Sequence, residues 1–569
     1  MTTPPVALYY DPDAYVERTG PPPDPRAGGA RGLMGRQVAG REFLDAYLAH
    51  GTADALAAVV RDRRRAAPLL AACRAHPAAR VRHLRVVGEA AVLAGDAPAP
   101  VLHFPNPPDA RFAWARRAAN PAGFALCGVT HTLATPAAAA ALCDLVAAPF
   151  EPFDALVCTS RAVEATVRAV TGSYRDYLAD RFGGAPALRP RLAVIPLGVN
   201  PDRFRPPTPA ARAAARAALG VEPDEVLVLC VGRLSHHAKA HPFPAYHAAS
   251  EAARRTGAKV HLLMAGWAAN PAVAAAFRDG ARLLAPSARV TFADGQDAAV
   301  RAAVWPAADI AVSLPDSVQE TFGLVVVEAM ASGLPVVGSD WDGYRDLIAD
   351  GETGFLVPTR MVRGATAGAS ERLLAGLTNY DHFLAECGQA VAVDAAAAAD
   401  ALTLLVADAG LRAAQGAAGR ARAEAHFTWE RVVRAYEALW AEQAAELGRA
   451  AAPPAAAPAR YPSPERVFAA YPTAWLGDAE WVAAAPDALP RLAPLLAMPL
   501  TNLAAARRCT DPVVLAALLE AAVEPASIGS MAAGLAAGGV GGGAARATVA
   551  WLLKYGLLTP VRVTPAGPT

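Results

Sequence analysis

Residues 320–335 carry the sequence ETFGLVVVEAMASGLP, shortly after the apolar run Ile310–Leu314. The short apolar run predicts a buried strand, and the residues after Gly323 predict a helix. A strand, a glycine and a helix in this order place Phe322, Gly323 and Leu324 at a helix N-terminus. Free N–H groups and the helix dipole favour a phosphate there. The stretch therefore predicts an α/β fold with an anion site at the end of a strand.

Two glutamates of this stretch point to a second kind of ligand group. Glu320 lies in the loop above the strand end, and Glu328 lies about a turn and a half into the helix, from where it can project toward the same crevice. Carboxylates are poor partners for phosphate, but an ionised carboxylate accepts two hydrogen bonds from a diol. A ligand with both a diphosphate and sugar hydroxyls satisfies the whole arrangement.

Short apolar runs alternate with alanine-rich helical stretches, which favours parallel sheets wrapped by helices. A proline-rich break, PDRFRPPTP at 201–209, separates two series of runs and predicts two α/β domains, 1–200 and 201–430. The expected strands of the first are Val6–Tyr10, Val81–Val87, Phe124–Thr130, Ala155–Thr159 and Leu192–Leu197, and those of the second are Val226–Val231, Val260–Ala265, Val290–Ala293, Ile310–Leu314, Pro335–Ser339 and Phe355–Val357.

The C-terminal part has a different composition. An aromatic stripe over Ala421–Leu447 predicts one long helix that packs on a domain. Residues 448–460 are a Pro/Ala linker, and 461–569 predict a small, mostly helical accessory domain. A helix at Ala547–Leu558 followed by Val561–Val563 would also fit a winged helix, but its few basic residues make DNA binding a weak alternative.

The bulk composition excludes several classes. A net charge of +1 over 569 residues argues against a surface built for nucleic acid, so no nucleic-acid partner is expected. No apolar stretch reaches membrane-spanning length, and the N-terminus lacks a signal-peptide pattern, so a cytoplasmic protein is expected. The seven scattered cysteines indicate reduced core residues rather than a metal or redox site.

The pattern E-x7-E followed by A-x-x-x-G-x-P resembles retaining glycosyltransferases of family 4, of the group 1 type, which have the GT-B fold. The resemblance covers about residues 1–445. It implies two Rossmann-like domains facing across a cleft, and transfer of a hexose from a nucleoside diphosphate to an acceptor hydroxyl with retention of anomeric configuration. It further implies that Glu320 holds hydroxyls of the donor sugar and that Glu328 holds the nucleotide ribose. The segment Thr321–Leu324, with the amides of Phe322, Gly323 and Leu324, would face the diphosphate.

Gly232-Arg233 ends the first strand of the second series, and Lys239 follows six residues later. This resembles the family's G-R-x(n)-K-G element, whose cations neutralise the departing diphosphate. Lys239, Lys259 and Lys554 are the only lysines, so a chain that otherwise uses arginine has kept a compact cation here. Ala240 replaces the usual glycine, a departure that bears on how closely this loop approaches the phosphate.

Two features of the first domain are candidates for the other side of the cleft. His131 follows a predicted strand, where the family has a cleft histidine, and its role is either catalytic or structural. The glycine-rich stretch 28–40, which contains Gly35, precedes a helix expected near Arg41. In the family this loop lies over the cleft near the donor and the acceptor, and a flexible linker is the alternative.

No metal or other cofactor is expected. His236, His237, His241 and His247 match no zinc spacing. Asp340 and Asp342 form a D-x-D in the place of the family's G-G-x-x-E turn, and these aspartates either recognise the donor or cap the following helix. Ser160 and the 194–204 junction are predicted to be structural.

The alternative function is a non-catalytic nucleotide-sugar sensor that docks through 461–569. The sequence leaves the acceptor, peripheral membrane contact and the oligomeric state open.

Overall fold

The computed structural model describes residues 5–15, 35–76, 83–184, 186–451, 456 and 462–561. The chain divides into two compact units, Met1–Ala459 and Arg460–Thr569. The first unit holds two Rossmann-like domains, each a parallel sheet with helices on its faces.

The first domain alternates strands and helices along the chain. Its elements in order are β1 (Ala7–Tyr9), α1 (Pro12–Tyr15), α2 (Gly35–His50), β2 (Ala55–Val60), α3 (Ala67–Ala75), β3 (His83–Gly88), α4 (Glu89–Leu93), β4 (Val101–Phe104), α5 (Ala110–Ala119), β5 (Ala125–Val129), α6 (Pro136–Ala147), β6 (Ala155–Cys158), α7 (Arg161–Phe182) and β7 (Arg191–Val194). The strand order is β3-β2-β1-β4-β5-β6-β7, and all the pairings are parallel.

The second domain repeats this architecture with one addition. Its elements are α8 (Pro209–Ala218), β8 (Glu225–Val231), α9 (Phe243–Thr256), β9 (Lys259–Gly266), α10 (Pro271–Leu284), β10 (Arg289–Asp294), α11 (Ala298–Ala307), β11 (Ile310–Ser313), α12 (Leu324–Ala331), β12 (Val336–Ser339), α13 (Tyr344–Leu347), β13 (Gly354–Val357), β14 (Thr359–Met361), α14 (Ala369–Leu374), α15 (Tyr380–Gln389), β15 (Val391–Val393), α16 (Ala395–Ala407) and α17 (Ala409–His426). The addition, called the excursion below, runs from β14 to β15, which form a separate antiparallel pair with two helices between them. The strand order β10-β9-β8-β11-β12-β13 reverses between β8 and β11. A ligand crevice is expected at the carboxyl ends of these two strands.

The chain returns from the second domain to the first at residues 427–429. The Val199 amide donates to the Phe427 carbonyl at 2.7 Å, and α18 (Trp429–Arg449) then packs its aromatic side into the core of the first domain. An added Cβ on Gly198 would lie 2.4 Å from the Trp429 ring, so only glycine allows this close crossing.

The single helix predicted over Ala421–Leu447 is wrong. The structure has two helices, α17 and α18, with a break at Phe427–Thr428. The Thr428 side chain accepts a hydrogen bond from the Arg431 amide and caps α18. The helical periodicity of the sequence runs across the break, because Phe427 in the break and Trp429 at the start of α18 are both buried aromatic residues.

Strands β2 and β4 were not predicted. All six residues of β2 are buried, and its sequence ALAAVV is half alanine, which resembles the neighbouring helical stretches. In the part of the chain that the structure describes, no helix is long and apolar enough to cross a bilayer.

The second unit has its own apolar core and is mostly helical. Its elements are α19 (Pro464–Val467), β16 (Trp481–Ala484), α20 (Ala488–Ala497), α21 (Pro512–Ala521), β17 (Ala526–Ser527), α22 (Ile528–Ala537), α23 (Gly542–Lys554) and β18 (Leu558–Val561). The predicted fold class, two Rossmann-like domains with a small helical C-terminal region, is confirmed.

Candidate active site

The carboxyl ends of the two parallel sheets meet across a cleft within the first unit. Ser160, the N-cap residue of α7 after β6, donates from Oγ to the Thr321 carbonyl at 3.0 Å. Its neighbour Arg161 donates to Asp346 at 2.6 Å. The first contact brings the loop before α12 against the first domain, and the second does the same for α13, so the predicted anion site lies between the domains.

Gly323, the N-cap residue of α12, lies in the left-handed region with a φ of +104°. An added Cβ there would lie 2.3 Å from the Tyr344 ring, so both the backbone and the packing require glycine. Phe322 is buried and its ring packs against Phe427, with the centroids 6.5 Å apart. Only the backbone of Phe322 is therefore available to a ligand, together with the amides of Gly323 and Leu324 at the first turn of the helix.

Lys239 and Glu320 form an ion pair at this helix end. The Lys239 Nζ atom lies 3.0 Å from Glu320 Oε2, and the Thr321 amide donates to the other carboxylate oxygen at 3.3 Å. Burial alone would raise the pKa of Glu320, but the Lys239 ammonium and the amides of Thr321 and Phe322 outweigh it and lower that pKa. Glu320 is thus held ionised.

Hydrogen bonds hold the loop that carries Lys239 in place. Asp316, buried in the loop after β11, accepts a hydrogen bond from the His241 amide at 3.2 Å. The Lys239 amide donates to the Ser235 carbonyl at 3.0 Å. The switch-point loops after β8 and β11 are therefore joined, which sets the position of the lysine relative to Glu320.

Arg233 follows Gly232 at the end of β8 and belongs to a polar chain. Its Nη2 donates to the Gln319 side chain at 3.2 Å, and Gln319 donates to the Tyr380 hydroxyl at 3.2 Å. Burial lowers the pKa of Arg233, while Asp381 and Tyr380 act in the opposite direction. The excursion between β14 and β15 thus reaches the site through α15. Gln319 and Tyr380 were not predicted, and only the position of Gln319 beside Glu320 hinted at its role.

Glu328 faces a different group of residues. Burial and the nearby Glu42 carboxylate raise the pKa of Glu328 to about 8, and Arg203 opposes them. Arg203 pairs with Glu42 at 3.2 Å, and the Trp429 indole donates to the same carboxylate at 3.2 Å. Glu328 therefore lies close to Glu42 and Arg203, at the junction between the domains.

His131 follows β5 on the first-domain side of the cleft. Its Nε2 atom lies 2.9 Å from the Pro105 carbonyl oxygen, so that nitrogen carries the proton and donates it. His103 is fully buried nearby, and burial together with His131 lowers its pKa to about 3. His131 is thus anchored to its own domain, and its catalytic role stays a prediction.

The prediction that a helix starts near Arg41 is wrong. Helix α2 begins at Gly35, so Gly35 is a first-turn residue, while 28–34 lie outside the described residues. Within this helix, an added Cβ on Gly40 would lie 2.1 Å from the Ala14 carbonyl oxygen. The glycine that looked like part of a loop instead permits close packing of α2 on α1.

Among the described residues, no group of three or more His, Cys, Asp or Glu side chains is arranged to hold a metal ion. The rings of His236 and His241 are 6.5 Å apart, centroid to centroid.

Residues 225–376 match the family described as glycosyl transferases group 1. The chain is similar to D-inositol 3-phosphate glycosyltransferase of Nocardia farcinica, with 40% identity over 172 residues, 30% of this chain and 37% of that protein. It is also similar to D-inositol 3-phosphate glycosyltransferase 2 of Catenulispora acidiphila, with 32% identity over 246 residues, 42% of this chain and 54% of that protein. The matched region thus spans between about a third and a half of the length of these curated relatives.

Two solved structures are similar to this chain over a larger share of its length. Sucrose-phosphate synthase from Thermosynechococcus elongatus has a TM-score of 0.48 and 20% identity, covering 78% of this chain and 100% of that one. The Anabaena HepE protein in complex with UDP-glucose has a TM-score of 0.45 and 16% identity, covering 78% of this chain and 100% of that one. At TM-scores below 0.5, neither likeness bears on the site of this chain.

Proposed function

We propose that this chain, whose residues 225–376 belong to the group 1 glycosyl transferases, moves a hexose from a nucleoside diphosphate to an acceptor hydroxyl. We further propose that the reaction retains the anomeric configuration and needs no divalent metal. One observation carries the proposal. A lysine and a carboxylate are paired at 3.0 Å beside a helix N-terminus, where the two sheets meet.

The proposed roles follow from the chemistry of each group. Arg233, Lys239 and the first amides of α12 bind the diphosphate, because these cations and N–H groups favour phosphate oxygens. Glu320, held ionised by Lys239, accepts hydrogen bonds from hydroxyls of the sugar. Glu328 accepts hydrogen bonds from the ribose. The glycosidic bond then lies between groups held by Glu320 and by Lys239.

The transfer step breaks the bond between the anomeric carbon and the diphosphate oxygen. The electron pair of this bond goes to the diphosphate, and Arg233, Lys239 and the helix N-terminus stabilise the charge that develops there. The acceptor oxygen forms the new bond on the same face of the sugar, and its proton passes to the departing phosphate oxygen. No carboxylate acts as a nucleophile in this scheme. His131, on the first-domain side, is proposed to act near the transferring sugar.

A panel of nucleoside-diphosphate sugars tests the proposal. The matching donor should raise the melting temperature of the protein, because a ligand that binds only the folded chain stabilises it in proportion to ln(1 + [L]/Kd). The same donor should be hydrolysed slowly to nucleoside diphosphate and free sugar. Stabilisation without any hydrolysis or transfer would indicate the sensor instead of the enzyme.

Proton NMR of the first product formed tests retention. An α-linked donor should give an α-linked product, and a β-linked product would overturn front-side displacement.

A further inference from the structure

Asp342 lies in the turn after β12, at the carboxyl edge of the second sheet. Its φ is +48°, and among the described residues no other residue except glycine has a positive φ. Side chains with a Cβ rarely adopt this backbone conformation, which costs free energy. Aspartate adopts this conformation more readily than most residues with a Cβ, so the turn can carry a carboxylate where glycine would be less strained.

The neighbouring aspartates have structural roles. Asp340 accepts a hydrogen bond from Arg345 at 2.5 Å, and Asp346 accepts from Arg161 at 2.6 Å. The helix α13 begins after Gly343 and has no side-chain cap. Asp342 is therefore not a helix cap, and its partners differ from those of the other two.

The two oxygens of Asp342 are in different positions. One lies 3.5 Å from the Ser160 hydroxyl, at the limit of a hydrogen bond. The other is buried and has no hydrogen-bond partner among the residues that the structure describes. A buried carboxylate oxygen without a donor is costly, so the turn carries a polar group that the chain itself does not satisfy.

Asp342 and Glu320 flank the same place. Ser160 reaches toward Asp342 and donates to the carbonyl of Thr321, the residue after Glu320. Burial raises the pKa of Asp342 to about 7, and the Glu320 carboxylate adds to this effect. The two carboxyl groups are thus close enough to affect each other, at the end of the site assigned to the sugar.

We propose that Asp342 determines donor specificity by accepting a hydrogen bond from a sugar hydroxyl next to those held by Glu320. This inference rests on the proposed function. It predicts a neutral hexosyl donor with a free hydroxyl at this position. A uronic acid with its carboxylate at the same place is disfavoured, because two carboxylates would repel one another there.

The test compares Asp342→Asn and Asp342→Gly with the parent protein, using the best hexose donor and its monodeoxy analogues. Losing a charge-assisted hydrogen bond should lower kcat/KM for the hexose about ten- to a hundredfold. Binding of the nucleoside diphosphate alone should stay unchanged. One deoxy analogue should be a poor donor for the parent but equal to the hexose for Asp342→Gly.

The matched control is Asp340→Asn, two residues away on an ion pair with Arg345, which should leave the donor preference unchanged. Asp342→Gly should melt at the same temperature as the parent or higher, since glycine relieves the positive φ. Parent-like kcat/KM for every donor in both variants would overturn the inference. So would loss of acceptor transfer while donor hydrolysis stays intact, because that result would place Asp342 at the acceptor. A parent that neither binds nor hydrolyses any nucleotide sugar would instead refute the proposed function, and this inference with it.

Discussion

The Lys239 ammonium and the Glu320 carboxylate, assigned to opposite sides of the glycosidic bond, contact each other at 3.0 Å. Their loops follow the two strands at which the order of the second sheet reverses. In the proposed reaction, this ion pair supplies a cation to the departing diphosphate and a hydrogen-bond acceptor to the sugar hydroxyls. It also makes the two residues interdependent, so changes to one of them alter the other.

Glu320→Gln should reduce turnover more than nucleotide binding. The variant loses the charge that holds sugar hydroxyls, yet it releases Lys239 from its ion pair and keeps the diphosphate contacts. We expect kcat to fall about ten- to a hundredfold, and the Kd of the nucleoside diphosphate to stay level or decrease. Steady-state kinetics and calorimetry measure the two quantities. A Kd that rises while kcat is unchanged would exchange the roles of Glu320 and Glu328.

At about pH 9, where Glu328 is ionised, Glu328→Gln should weaken nucleoside-diphosphate binding about ten- to a hundredfold, with a smaller effect on turnover at saturation. With a pKa of about 8 in the folded protein, ionised Glu328 becomes common only as the pH rises toward that value. An ionised carboxylate is the stronger acceptor for ribose hydroxyls, so the parent should bind more tightly from about pH 6.5 to about pH 9. The variant should lose this dependence, and a parent with flat affinity across the range would contradict the assignment.

The same pKa affects stability. Folding raises the pKa of Glu328 from 4.5 to about 8, so the folded chain keeps a proton that the unfolded chain releases between these values. The contribution of Glu328 to the free energy of unfolding of the parent protein therefore decreases as the pH rises through that range. The melting temperature of Glu328→Gln relative to the parent should rise from about pH 5 to about pH 8 and then level off.

A chelator should leave turnover intact. In the proposed reaction, Arg233, Lys239 and the α12 amides neutralise the charge of the diphosphate, so no divalent ion is required. Donor hydrolysis should be the same with EDTA as with added Mg²⁺ or Mn²⁺. Loss of activity with EDTA and recovery with either ion would show that a metal takes part in the reaction.

The chain truncated after Ala459 should fold and still hydrolyse the donor. Both Rossmann-like domains and α18 lie within the unit Met1–Ala459, and residues 460–569 have a separate apolar core. Circular dichroism and nucleoside-diphosphate release check the two parts of the expectation. An insoluble or unfolded product would mean that the second unit covers apolar surface of the first.

Much of the fold was predictable because β-branched runs and glycines mark strand ends. Strand β2 was missed because alanine serves equally in a fully buried strand and in a helix. The excursion between β14 and β15 was missed because its strands are three residues long. The contact from Tyr380 to Gln319 spans 61 residues. Local patterns do not report such distant pairings.

The candidate site was predictable only in part, for the same reason. The glycine at 323 and the two glutamates have a local signature, but the contact of Lys239 with Glu320, across 81 residues, was not predicted. The role of Asp342 was open, since it depends on Ser160, which lies 182 residues earlier and across the cleft. The side chain of Phe322 is buried in the core, which the motif did not indicate.

The sharpest test of the diphosphate site is the release of nucleoside diphosphate from the matching donor, measured for the parent and for Arg233→Ala and Lys239→Ala. The matched controls are Arg254→Ala and Lys259→Ala, whose side chains are exposed in surface ion pairs with Glu251 and Asp224. Removing one donor to a developing anion typically costs about 10²–10³-fold in kcat. We therefore expect losses of this order for the two site variants, weakened binding of the nucleoside diphosphate to both, and parental rates for both controls. Parental binding and turnover in a folded Arg233→Ala or Lys239→Ala protein would contradict the assignment of the diphosphate site, and with it the proposed glycosyl transfer.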